Sequence, residues 1–281
     1  MGSLGIDRVR WASGACFESH GARVGVRCNL PFLSGRLVQL LPPGSRPAAG
    51  PAVDALVSLW VPGGRRPARV YAGSQRRACT RDLAQALAVI ESELRQAVAT
   101  HARGRTFVHA GAVGWRGRAI LVPGRSRSGK TTLVAELVRA GAEYLSDEFA
   151  VLDACGRVHP FAKRLSFRGE GGCDRHARQA AVEEIGGRVA RGPLPVGLVA
   201  VTEYQPGAAW SPAPLTPGQA LLELLAHTVP ARLRPGASLE ALGRAVVGAA
   251  LLKGPRGEAA DTARWLLEHE PGAGAAGEAT T

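Results

Sequence analysis

Over the first hundred residues, short runs alternate apolar and polar positions. In "RVGVRC", Val24, Val26 and Cys28 fall on one face and Arg23, Gly25 and Arg27 on the other, the period-two signature of a half-buried strand. "LVQLL", "ALVSLWV" and "ARVYAG" read as further strands, separated by Pro- and Gly-rich turns such as "PPGSRPAAGP". The period then lengthens. Leu83, Leu87, Ile90, Leu94 and Val98 recur at steps of three and four and form one helical stripe. Thr80 stands where it can cap that helix, Asp82 in its first turn and Gly104 at its end. The pattern predicts a small β-rich module over 1–104 that closes with an amphipathic helix.

From about residue 105 the texture changes. "TFVHAGAV" and "AILVPG" predict two strands joined by a tight turn in "GWRGR". "TTLVAELVRA" predicts a helix with Leu133, Leu137 and Val138 inward and Gly141 as its stop. "EYLSDEFAVLD" is a strand region broken by two acids, and "CGR" turns the chain into "VHPFAKRLSF". "PVGLVAVTEY" reads as a buried strand, next to the core of an α/β domain. "PGQALLELLAHTV" capped by Thr216, "LEALGRAVVGAALL" capped by Ser238 and "TARWLLEH" after Asp261 predict three helices. This second domain spans 105–269. The tail, 270–281, has no core-forming pattern and is expected to be disordered.

Composition bounds the partners. The 281 residues are 46% hydrophobic and 21% charged, enough for one large domain or two smaller ones. No run approaches the ~20 apolar residues that span a bilayer. "MGSLGIDRVRWASG" has no apolar signal core, and Ile6 stands where a myristoylation motif needs Ser or Thr. A soluble, cytoplasmic protein with no membrane partner is expected. Cys16, Cys28, Cys79, Cys155 and Cys173 are odd in number and form no C-x-x-C, so reduced and mostly buried thiols are expected. The net charge is +12, but only Lys130, Lys163 and Lys253 are lysines, which leaves 32 of the 35 basic residues as arginine. The arginines are scattered, with no basic helix and no interleaved aromatics, which argues against a nucleic-acid partner.

"GRSRSGKTT", residues 124–132, carries the chemistry. Gly124 through Thr131 match G-x-x-x-x-G-K-[ST], with a hydrophobic strand before and an amphipathic helix after. Such a loop wraps an anion with consecutive amides and opens a helix whose positive end faces it. Gly124, Arg125, Ser126, Arg127, Ser128, Gly129, Lys130, Thr131 and Thr132 are therefore expected to bind ATP. Lys130 reaches the outer phosphates and the Thr131 hydroxyl ligates Mg²⁺. Arg127 sits where such loops often carry Gly; it either strains the loop by about 1 kcal/mol or adds charge against the phosphates.

Asp147 and Glu148 lie only 17 and 18 residues after Lys130. One helix and one short strand fill that gap, so the pair is expected at the end of a strand neighbouring the P-loop strand. Two adjacent acids can divide the labour, one taking a proton and one holding Mg²⁺. His109, ahead of the loop, is either structural or a partner that tunes a carboxylate.

Residues 109–151, "HAGAVGWRGRAILVPGRSRSGKTTLVAELVRAGAEYLSDEFAVL", resemble the catalytic core of the HPr kinase/phosphorylase superfamily. The resemblance implies a P-loop fold related to phosphoenolpyruvate carboxykinase. It implies Asp147 as the base acting on a serine hydroxyl, Glu148 near Mg²⁺ and His109 supporting Asp147. The family's "EIRGLG"-type signature is missing after the acids, which argues against action on the HPr carrier itself. The layout is more similar to HPr-kinase-like proteins found with ribosomal peptides such as lasso peptides. An ATP- and Mg²⁺-dependent serine kinase acting on a peptide or small protein is the expectation. The rivals are a small-molecule kinase and a nucleotide-binding module without transfer. Homo-oligomers, including hexamers, occur in the family.

Overall fold

The computed structural model describes residues 10–50, 52–64, 66–125, 128–167 and 178–269. The expectations for Ser126, Arg127, Cys173 and the tail lie outside the described residues. The chain divides into two compact units, 1–104 and 105–281.

The first unit is a six-stranded sheet carrying one long helix. Its strands are β1 (Ser13–Ser19), β2 (Ala22–Cys28), β3 (Arg46–Pro47), β4 (Ala55–Trp60), β5 (Ala68–Ala72) and β6 (Gln75–Thr80), in the order β3-β1-β2-β4-β5-β6. Val24, Val26 and Cys28 are all buried. The short helix α1 (Ser34–Gln39) occupies the place where "LVQLL" suggested a strand. The spacing of the buried residues is the reason: Leu33 and Leu37, four apart, are buried while Val38 and Gln39 are both exposed, so burial does not alternate with a period of two. Helix α2 (Leu83–His101) buries Leu87, Ile90, Leu94 and Val98. Its cap is Asp82, whose carboxylate accepts from the Ala84 amide at 2.9 Å, and Thr80 instead accepts from the Asp82 amide at 3.1 Å.

The second unit is a mixed sheet with helices on both faces. It begins with the hairpin β7 (Thr106–Trp115) and β8 (Arg118–Pro123). Arg116 and Gly117 have φ of 48° and 79°, the two left-handed positions of a primed hairpin turn. After the loop come α3 (Lys130–Arg139), β9 (Glu143–Ser146), β10 (Phe149–Leu152), β11 (Val158–His159), β12 (Leu165–Phe167) and β13 (Arg178–Ala180). The chain finishes with β14 (Val196–Tyr204), β15 (Ala213–Pro214), α4 (Pro217–Ala226), α5 (Pro235–Val246), β16 (Ala250–Arg256) and α6 (Ala259–His269). The sheet order is β11-β10-β7-β8-β14-β16-β15, with β9 also on β7. β8, β14 and β16 run parallel to one another. Successive residues feed opposite faces: Ile120 and Val122 pack with α3 and α6, and Ala119 and Leu121 with α4 and α5.

Several element boundaries differ from the sequence reading. The segment 239–252 is not one helix: α5 stops at Val246, Gly248 turns with φ of 71°, and β16 follows. Ser238 is buried inside α5, which starts at Pro235, a residue whose fixed φ suits the first helical position. Thr216 does cap α4, in a box with Gln219. α6 begins at Ala259, so Asp261 lies in its first turn. Of the four described cysteines, Cys79 and Cys155 are exposed. No helix among the described residues is long and apolar enough to cross a membrane.

Candidate active site

The loop 124–131 springs from the carboxyl end of β8, beside the carboxyl ends of β14 and β16. That edge of a parallel sheet is where ligands sit in α/β folds. Gly129 caps α3 in the left-handed region, with φ of 78°. At Gly124 a Cβ would stand 2.7 Å from Ser128 Oγ, so glycine lets the two arms of the loop close on each other. The Gly124 amide is tied to the His109 carbonyl at 3.1 Å. Lys130 is only 8% exposed, and its ammonium donates to the carbonyls of Gly124 (2.8 Å) and Arg125 (2.6 Å). The side chain thus folds back across the loop. Thr132 is exposed in the first turn of α3.

The acidic pair breaks a ladder. β9 and β10 both run antiparallel to β7, with Ala112 opposite Ser146 and His109 opposite Phe149. Asp147 and Glu148 therefore lie across from Gly111 and Ala110, in the gap between two strands. The sequence expectation of a strand end next to the P-loop strand is corrected here, because β7 lies between. An antiparallel hairpin places its own two strands side by side, which leaves the acids' strand the other edge of β7.

Asp147 nevertheless reaches the loop. It is 4% exposed, and Thr131 Oγ1 donates to its Oδ2 at 2.9 Å. Tyr144 Oη donates to Oδ1 at 2.8 Å, and Lys163 Nζ lies 2.9 Å from the same oxygen. Lys163 Nζ is also 3.9 Å from Glu148 Oε2. Burial, and then the Asp147 charge, push the Tyr144 phenol well above the ordinary tyrosine range, so it stays a donor.

His109 does not meet the Asp147 carboxylate. Its ring packs on Phe149 with centroids 4.5 Å apart and hydrogen-bonds the main chain of Glu148. Burial depresses its pKa to about 4, with the Lys130 and His227 charges adding to the effect and the Glu148 hydrogen bond opposing it. It is a neutral ring at pH 7. His227, just after α4, is also held below the ordinary histidine value, by burial first and Lys130 second, and its carbonyl accepts from the His109 amide at 2.8 Å.

No protein-family model matches the chain, and no curated protein matches it.

The structure thus brings Gly124, Arg125, Ser128, Gly129, Lys130, Thr131, Asp147, Glu148 and His109 to one edge of the sheet. Sequence reasoning missed Tyr144, Lys163 and His227. For Lys163 a signal existed: in a chain that uses arginine almost everywhere, two of the three lysines stand at this site. Lys253, the third, forms an exposed pair with Glu223, so the signal is not clean. Chemically, the buried ammonium and the start of α3 could hold a phosphate. The Thr131 hydroxyl and the two carboxylates are hard oxygen donors that could hold Mg²⁺.

Proposed function

We propose that the chain is an HPr-kinase-like P-loop phosphotransferase that moves the γ-phosphoryl group of ATP to a serine hydroxyl of a peptide or small protein. The observation that carries this reading is the hydrogen bond from Thr131 to Asp147, which joins the phosphate loop to a buried carboxylate on another strand.

On this reading the loop amides and Lys130 bind the triphosphate, with Lys130 leaving its two carbonyls for phosphate oxygens. Thr131 and Glu148 would hold Mg²⁺, which when bound would supply neutralisation of the charge on the transferring group. Asp147 accepts the proton of the attacking hydroxyl as the new P–O bond forms and the bond to ADP breaks, and later gives it to solvent. Lys163 holds Asp147 in place and stands where it can follow the negative charge onto the transferred phosphoryl group. His109, neutral, fixes the acids through the Glu148 main chain. Catalysis is then mostly positioning and charge neutralisation.

One observation favours a second reading. Asp147 already accepts from two hydroxyls and an ammonium, which leaves it less free to act as a base. A nucleotide-binding module without transfer would suit that arrangement. Incubation with Mg-ATP and a panel of serine-containing peptides separates the two. Phosphopeptide together with ADP supports the transferase; bound ATP with no ADP and no phosphorylated product supports the module.

A further inference from the structure

Arg256 ends β16, the strand that the sequence pattern merges into a helix. It is 2% exposed, although it carries a long, charged side chain. Its guanidinium spends its hydrogen bonds on main chain. Nη2 donates to the carbonyls of Ser128 (3.2 Å) and Gly129 (3.1 Å), and Nη1 to that of Gly257 (3.1 Å). The Tyr204 ring, at the end of β14, covers it at 5.4 Å. Among the described residues no carboxylate pairs with it within 4.0 Å; the exposed Glu258 acts on it only through space. A Cβ at Gly129 would collide with Nη2, so the grip also requires glycine there.

The consequence follows from peptide planarity. In a trans peptide the N–H points opposite the C=O. The carbonyls of Ser128 and Gly129 face Arg256, so the amides of Gly129 and Lys130 face away from it. The Lys130 amide is the first of α3 and has no acceptor inside the helix. These are two of the amides that a phosphate loop aims at its anion. Left alone, a loop closed by glycine could turn these peptide planes over at little cost.

We infer, on the reading of this loop as a nucleotide cradle, that Arg256 is a positioning residue which sets the direction of the Gly129 and Lys130 amides before the triphosphate arrives. It touches the loop from behind and takes no part in bond making. Its two-pronged fork is what the geometry uses, and an ammonium on a flexible stem does not reproduce it.

Nucleotide titration of the full chain tests this, with wild type, Lys130→Ala, Arg256→Met and Arg256→Lys compared for ATP, ADP and adenosine. Loss of charge-assisted bonds of this kind predicts about tenfold weaker ATP binding for Arg256→Met. Arg256→Lys is expected a few-fold weaker than wild type, because it keeps the charge without the fork. The loss shrinks from ATP to ADP and disappears with adenosine, which a merely structural role would not produce. ATP affinity of Arg256→Met within twofold of wild type, with Lys130→Ala weakened, overturns the inference and leaves the nucleotide reading standing. Wild-type affinity in Arg256→Lys also overturns it, since charge alone would then suffice. Should Arg256→Met not fold, Arg256→Lys decides by the same criterion. No ATP binding by the wild type removes the nucleotide reading and the inference together.

Discussion

At the scale of residues, a few buried polar groups define the site, and each is expensive to disturb. The Lys163–Asp147 pair has side chains only 10% and 2% exposed. Removing one partner of a pair this buried costs about 3 kcal/mol or more, because the other charge stays behind. Lys163→Met should therefore destabilise the chain by that order in urea unfolding. Adding Asp147→Asn should recover part of the loss, and simple additivity of the two would show that the pair is not coupled. His109 gives a pH dependence. Folding depresses its pKa from 6.5 to about 4, so the unfolded chain takes up a proton that the folded chain refuses. Stability is then full above about 6.5 and falls as pH drops toward 4, by roughly 3 kcal/mol from this ring. His227 acts in the same direction, so His109→Gln should flatten the slope between pH 7 and pH 4 without abolishing it. Equal slopes in mutant and wild type would contradict the burial argument.

At the scale of elements, legibility followed local pattern. The β7–β8 hairpin, α3 and β14 were readable because each carries its own period and its own stop, such as the Arg116-Gly117 turn. α1 and β16 were not. "LVQLL" is too short for strand and helix periods to separate, and "AALL" after Gly248 keeps the composition of the helix before it although Gly248 turns the chain into a strand. The α4 cap was legible from Thr216, and the structure adds Gln219 as its partner, with amide and carboxamide contacts of 3.3 and 2.9 Å. Thr216→Ala should cost about 1 kcal/mol, seen as a lower thermal midpoint; Thr216→Asn should recover most of it.

At the scale of the whole molecule, the loop and the two acids were legible, but not the company they keep. Strand order is a long-range property: nothing local in "YLSDE" says that β7 separates it from β8. Arg256 lies 127 residues from Gly129, and only the parallel run of β8, β14 and β16 brings it under the loop. Lys163 arrives from beyond β11 for the same kind of reason. The fold thus gathers a glycine-bounded loop, the buried carboxylate of Asp147 and the cations Lys130, Lys163 and Arg256 at a single sheet edge in the unit 105–281. The measurement that tests this gathering most directly follows nucleotide affinity and phosphoryl transfer side by side in Asp147→Asn. ATP affinity should stay within about threefold of wild type while transfer falls by about a hundredfold or more, the loss typical of a general base. Transfer at the wild-type rate in Asp147→Asn would contradict the proposed role of the carboxylate that Thr131 holds against the loop.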